Sequence, residues 1–199
     1  MITIREFSDS DIDMLSGMIC RIWEMDTYGE DLGIPASRAY LESCMERSSF
    51  IRILESDGVV MGCVMARSGD QPIDVERDLE VYTSGPLAGA PGLDKLVEDM
   101  MILDRADLTL REESDAAFDG ELVLLIVSEA GQGRGFGRML FEAALGYFRE
   151  QGLNSILIYT DDDCGYGFYD RLGAICLATK DVHLMNEDLH MMLYLYIVK

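Results

Sequence analysis

The sequence predicts an α/β (α+β) domain with one central sheet of about seven strands flanked by helices, and three observations predict it. In residues 121–152 the apolar run Leu122-Val123-Leu124-Leu125-Ile126-Val127 precedes glycines at alternate positions, Gly131, Gly133, Gly135 and Gly137. Apolar residues at three- and four-residue spacing follow, so the unit reads as buried strand, tight turn and amphipathic helix closed by Gly152. Elsewhere, short apolar runs alternate with helix-period stripes. Finally, 199 residues that are 49% hydrophobic can bury a proper core. One domain over residues 1–199 is expected, with an insertion at about residues 69–120.

Ile2 and Ile4 alternate with polar neighbours in a first strand. Ser8 or Ser10 caps the next helix, whose first turn sets Asp9, Asp11 and Asp13 against the helix dipole. Its apolar face is Ile12, Leu15, Met18, Ile19 and Ile22. Pro35 opens a second helix carrying Tyr40, Leu41, Cys44 and Met45. The apolar runs on either side of Ser56-Asp57-Gly58 form a β-hairpin. Residues 69–120 break the rhythm: 83–92 are loop-like, with Pro86 and Pro91, and 93–107 have helical spacing. Acids outnumber bases there. This segment reads as a helical insertion between strands 3 and 4, which would cover a substrate site or support a homodimer. Then come a strand at 155–160, the run Asp161-Asp162-Asp163, and a short helix from Gly165 closed by Gly173. Two antiparallel strands at 174–178 and 191–198, joined by polar residues 180–188, end the chain.

Sixteen Lys and Arg against 37 Asp and Glu give a net charge of −21. A nucleic-acid partner needs a basic footprint and is excluded, whereas a cationic small molecule would be attracted from a distance. No apolar run is long enough to span a membrane, and the opening MITIREFSDSDID has no signal-peptide core. Five cysteines without C-x-x-C spacing suit reduced thiols, so a cytoplasmic location is expected. The two histidines are remote from any cysteine pair, and no metal is expected.

The glycine turn offers free backbone N–H groups and a positive helix terminus to an anion, with Arg134 and Arg138 placed to pair with phosphate oxygens. It lacks the Lys-Ser/Thr ending of a P-loop and does not fit G-x-G-x-x-G. Gln132-Gly133-Arg134-Gly135-Phe136-Gly137 instead resembles the Q/R-x-x-G-x-G/A signature of the GNAT superfamily of acyl-CoA-dependent N-acyltransferases. Gly165-Tyr166-Gly167-Phe168-Tyr169-Asp170-Arg171-Leu172-Gly173 resembles that family's second block, A-x-x-F/L-Y-x-x-L-G-F. The flanking elements agree in kind and order, so the resemblance covers the chain apart from the insertion. Asp162, Gly165 and Ala174 depart from the usual Asn, Ala and Phe; of these, Ala174 would alter the pocket floor.

The resemblance implies a mixed, mostly antiparallel sheet and transfer of an acetyl group from acetyl-CoA to a primary amine, by direct attack in a ternary complex. It gives the coenzyme pyrophosphate to the backbone of Gly133, Gly135, Phe136 and Gly137, with Gln132, Arg134 and Arg138 around it. The pantetheine arm would pair with Leu125, Ile126 and Val127, splayed from a neighbouring strand at 156–159. A backbone N–H near Ile126 or Val127 would polarise the thioester. Tyr169 takes the general-acid position, and Tyr166 assists it or lines the pocket. Glu121 takes the general-base position; left unpaired in a half-buried cleft, its pKa would rise. Asp119 and the Asp161–Asp163 cluster compete for that role. Cys164 has no adjacent histidine, which disfavours a thiol-transfer route, and Cys63 reads as packing. The expected acceptor is a small cationic amine; the alternatives are a protein or peptide amine, or no acceptor at all in an acyl-CoA-binding regulatory module.

Overall fold

The computed structural model describes residues 1–71, 73–165 and 167–199. Its sheet is built from β1 (Ile2–Glu6), β2 (Phe50–Ser56), β3 (Val59–Ser68), β4 (Gly120–Val127), β5 (Ser155–Asp161), β6 (Ile175–His183) and β7 (Asp188–Ile197). They lie in the order β1-β2-β3-β4-β5-β7-β6, and every neighbouring pair is antiparallel except β4–β5. The sheet is therefore mixed and mostly antiparallel, as expected.

The helices are α1 (Ile12–Ile22), α2 (Gly33–Glu46), α3 (Val75–Thr83), α4 (Leu93–Ser114), α5 (Phe136–Glu150) and α6 (Gly167–Leu172). The serines are not the main fixture at the entry to α1. Buried Asp11 accepts from the Ser8 N–H at 2.9 Å and from both terminal nitrogens of Arg5 at 2.8 Å, tying that entry to β1. Helix α2 starts at Gly33, two residues before Pro35. Helices α3 and α4 fill the segment between β3 and β4, and α4 runs seven residues beyond Asp107, to Ser114. No helix was expected at α3, whose only buried residue is Tyr82, so its apolar stripe is thin. Strands β6 and β7 extend through most of the polar link expected between them, because a sheet edge tolerates polar side chains at solvent-facing positions. No helix among the described residues is long and apolar enough to cross a membrane.

Packing differs on the two faces. Beneath the sheet, α5 buries Phe136, Leu140, Phe141, Ala144, Leu145 and Phe148 in one continuous cluster with side chains of β2, β3, β4, β5 and β7. On the opposite face the core is divided. Helices α1 and α2 pack on β2, β3 and β4 around Leu15, Ile19, Leu41 and Ile126. The later half of α4 packs on β5, β6 and β7 through Ala106 and Leu110. The first half of α4 joins α2 and α3 through Leu93 and Leu96. Helix α4, 22 residues and about 33 Å long, thus bridges the division.

Candidate active site

The parallel ladder between β4 and β5 holds only Gly120, Glu121 and Leu122 against Ile156, Leu157 and Ile158. Beyond it β4 continues against β3 as far as Val127 opposite Gly62, and β5 continues against β7 as far as Asp161 opposite Met191. The two strands therefore separate into a wedge. The expected splay is displaced by this register: 156–158 are paired, and the divergence starts at Val123 and Tyr159. A bulge aims the wedge. Leu122 faces Ala66 and Leu124 faces Met65, so Val123 is an extra residue, and Val123 and Leu124 both turn toward α1 and α2. Leu125, Ile126 and Val127 have the edge away from β3 free of β5. The Ile126 side chain is buried toward α1 and α2, so only its backbone faces the wedge.

The glycine turn stands at the open end of the wedge. Gly133 and Gly135 have φ of 71° and 80°, and an added Cβ at either would meet nothing within 4 Å. The turn therefore needs glycine for conformation rather than for space, and leaves room above its backbone. The N–H groups of Gly133, Gly135, Phe136, Gly137 and Arg138 have no backbone acceptor among the described residues. Gln132, Arg134 and Arg138 are exposed beside them. Arg134 lies over the Phe136 ring, 4.6 Å from its centroid. The Phe136 side chain is in the core, so this residue has only its N–H to offer a ligand.

Between the divided halves of the upper face lies a cavity of about 240 Å³. Strands β4 (Leu122 to Leu125) and β5 (Tyr159 to Asp161) form its floor, and Trp23, Tyr28 and Tyr40 form an aromatic wall. Helix α4 closes it with Met100, Leu103, Asp104 and Asp107. Glu121 and Tyr169 both reach it. At the rim the Trp23 indole donates to the Cys164 sulfur at 3.4 Å, and the Asp163 and Cys164 N–H groups donate to Asp161 Oδ1 at 3.0 and 2.8 Å.

The profile of the Acetyltransferase (GNAT) family matches residues 18–174. The chain belongs to this family of acetyltransferases. Over 64 residues it is 38% identical to the mycothiol acetyltransferase of Rhodococcus jostii, across 31% of this chain and 21% of that protein. A mycothiol acetyltransferase of Nocardia farcinica is 41% identical over 56 residues, 27% of this chain and 18% of that one. The match thus spans about a fifth of the length of these curated relatives. Among solved structures, a variant agmatine N-acetyltransferase in its apo form superposes with TM-score 0.67 at 15% identity, covering 98% of this chain and 99% of that one. A polyamine N-acetyltransferase of Drosophila melanogaster gives 0.66 at 14% identity, covering 99% and 100%. At such identities the likeness is one of fold.

Within this GNAT frame the residues singled out in the sequence fall in two places. Gln132, Gly133, Arg134, Gly135, Gly137 and Arg138 gather at the turn, and Tyr169, Glu121 and Asp161 gather around the cavity. Tyr166 lies outside the described residues. Asp119 is elsewhere: it accepts from the Asn154 and Ser155 N–H groups at 3.0–3.1 Å and caps the loop into β5. Glu121 is not unpaired as expected. It is 4% exposed, and its Oε2 accepts from Arg67 Nη2 at 2.5 Å and Nε at 3.1 Å. Arg67, itself 4% exposed, stands directly across the β3–β4 ladder. Tyr169 is 7% exposed, and burial, reinforced by Cys164 and Asp161, holds its hydroxyl protonated far above ordinary phenol values. The Cys164 thiol is pushed up to about 12 by burial and by Asp161, which disfavours a thiolate. Sequence reasoning missed Asp104 and Asp107. Their three-residue spacing on a helix was a signal, but it does not distinguish a solvated acidic face from a buried one.

Proposed function

We propose that the chain is an acetyl-CoA-dependent N-acetyltransferase acting on a small cationic primary amine. The observation that carries this reading is a single cavity that joins the wedge between β4 and β5 to Tyr169 and to a wall of carboxylates. The glycine turn fits a pyrophosphate, since the N–H groups of Gly133, Gly135, Phe136 and Gly137 have no backbone acceptor among the described residues and its upper side is open. The free edge of Leu125 to Val127 fits the amides of a pantetheine arm, which would add to β4 as a further strand.

The chemistry then needs two proton movements. An alkylammonium has a pKa of roughly 10 and must lose a proton before its nitrogen attacks the thioester carbon. Glu121 takes that proton through Oε1, since both Arg67 contacts fall on Oε2. As the C–S bond breaks, Tyr169 delivers its proton to the departing thiolate; a buried phenol with a raised pKa remains a donor at working pH. Attack is direct, and no enzyme thiol is acylated.

Release of free coenzyme A, measured over a panel of amines, tests the reading. Acceleration by alkylamines is expected, and a protein that binds coenzyme A but turns over none would be a regulatory module instead. Tyr169→Phe should lower kcat by roughly 10²–10⁴-fold with donor affinity unchanged. An unaltered kcat would remove Tyr169 from the mechanism. Glu121→Gln should flatten the acidic limb of the kcat/KM profile, and a persistent limb would transfer the role to another carboxylate.

A further inference from the structure

The cavity carries more carboxylate than the transfer step uses. Glu121 is matched by Arg67, and Arg47 at the end of α2 lies 3.9 Å from Asp78 of α3. Asp104 and Asp107 have no ion-pair partner among the described residues. They stand three residues apart on α4, which places them on one helical face, and both line the cavity. Oδ1 of Asp107 is buried with no hydrogen-bond partner among the described residues, and so is the hydroxyl of Tyr159 on β5. Buried polar atoms are ordinarily satisfied, so two unpartnered oxygens on residues lining one cavity point to a ligand that completes them.

We propose that Asp104, Asp107 and the Tyr159 hydroxyl form a second cation subsite, which holds the non-reacting ammonium or guanidinium end of an acceptor whose other end is acetylated. The inference rests on the amine-acetyltransferase reading and adds that the preferred acceptor carries two cationic groups. Met100, Leu103 and the rings of Trp23, Tyr28 and Tyr40 line the same cavity and suit a short methylene chain with a charge at each end.

Proton linkage follows from the surroundings. Burial and repulsion from Asp78 push Asp104 up to about 7, and burial with repulsion from Asp104 and Glu121 raises Asp107 well above the usual range. Asp161 on β5 adds to the repulsion at Asp107, while Arg47 opposes it at both residues. A bound cation favours the ionised carboxylates and displaces their protons. Affinity for a dication should therefore fall as the pH drops through about 7, faster than affinity for a monoamine does.

Butane-1,4-diamine and butan-1-amine are the probes, tested by acetylation kinetics and by ligand-induced shift of Tm on the wild type, Asp107→Asn and Tyr159→Phe. The expected result is a kcat/KM ratio favouring the diamine by about tenfold or more, equivalent to the loss of one well-made contact. In Asp107→Asn that ratio should collapse toward one, and the Tm rise caused by the diamine should disappear. Tyr159→Phe should reduce both effects. Equal kcat/KM for the two amines in the wild type, or an undiminished ratio in Asp107→Asn, would overturn the subsite while leaving N-acetylation standing. A diamine-specific Tm shift that Asp107→Asn abolishes, without turnover of either amine, would support the subsite and sink the transfer reaction.

Discussion

Asp104 shows how a residue can work against the fold that carries it. In the folded chain its carboxyl keeps a proton up to about pH 7, because burial and Asp78 disfavour the charge; unfolded, it ionises near 4. The folded state thus binds the extra proton between those values. This contribution to stability is complete below about pH 4 and is lost as the pH rises through about 7. Asp104→Asn should accordingly raise Tm relative to wild type at pH 8, by an amount reflecting a few kcal/mol at most, do so by less at pH 5, and leave it nearly unchanged at or below pH 4. An equal difference at all three values would mean that Asp104 is not the group titrating. Single residues were unevenly legible. That Tyr169 and Glu121 would stand near one another was legible because a resemblance in motif fixes their places along the chain, and both line the cavity. The ion pair that holds Glu121 was not, because Arg67 is 54 residues away and meets it only through the β3–β4 register. The Val123 bulge was equally hidden, since an apolar run shows nothing of where a ladder slips.

Among the elements, the β2–β3 hairpin and the unit from β4 through α5 were legible because their signals are local: a turn dipeptide, a change of hydrophobic period, a glycine at a helix end. Helix α4 was legible as a helix but not as a wall, because it divides its apolar residues between two clusters whose other members lie far along the chain. Two contacts seat it. Buried Asp99 accepts from the Tyr28 hydroxyl at 2.6 Å and from the Met185 N–H at 3.0 Å, linking α4 to the α1–α2 connection and to the β6–β7 turn. Gly92, the residue before α4, has φ of 86°, and a Cβ there would lie 1.8 Å from the Tyr28 carbonyl oxygen. Gly92→Ala combines strain with collision and should destabilise the protein by about 1–3 kcal/mol. Because it unseats α4 and leaves β4 and α5 alone, it should raise the KM of the acceptor without changing donor affinity. A change confined to the donor would contradict this placement of the two substrates.

For the molecule as a whole, a net charge of −21 acts on its two proposed substrates with opposite sign. Cationic amines are drawn in and the polyanionic donor is repelled, so added salt should lower kcat/KM for the amine and raise it for acetyl-CoA. Parallel responses to ionic strength would show that the overall field plays no part in encounter. The three-pair ladder between β4 and β5 also has a mechanical meaning. With the adjoining Asp119 N–H to Ser155 carbonyl bond it is the strand pairing that joins a four-stranded to a three-stranded half-sheet, and α5 runs beneath both halves like the spine of a book. On the upper side α4 packs with both halves and reaches across like a clasp, helped by the Trp23–Cys164 contact at the rim. A donor lying along the wedge would stitch the pages together where the β4–β5 ladder gives out after three pairs, so under the proposed reaction the donor is expected to enter before the acceptor.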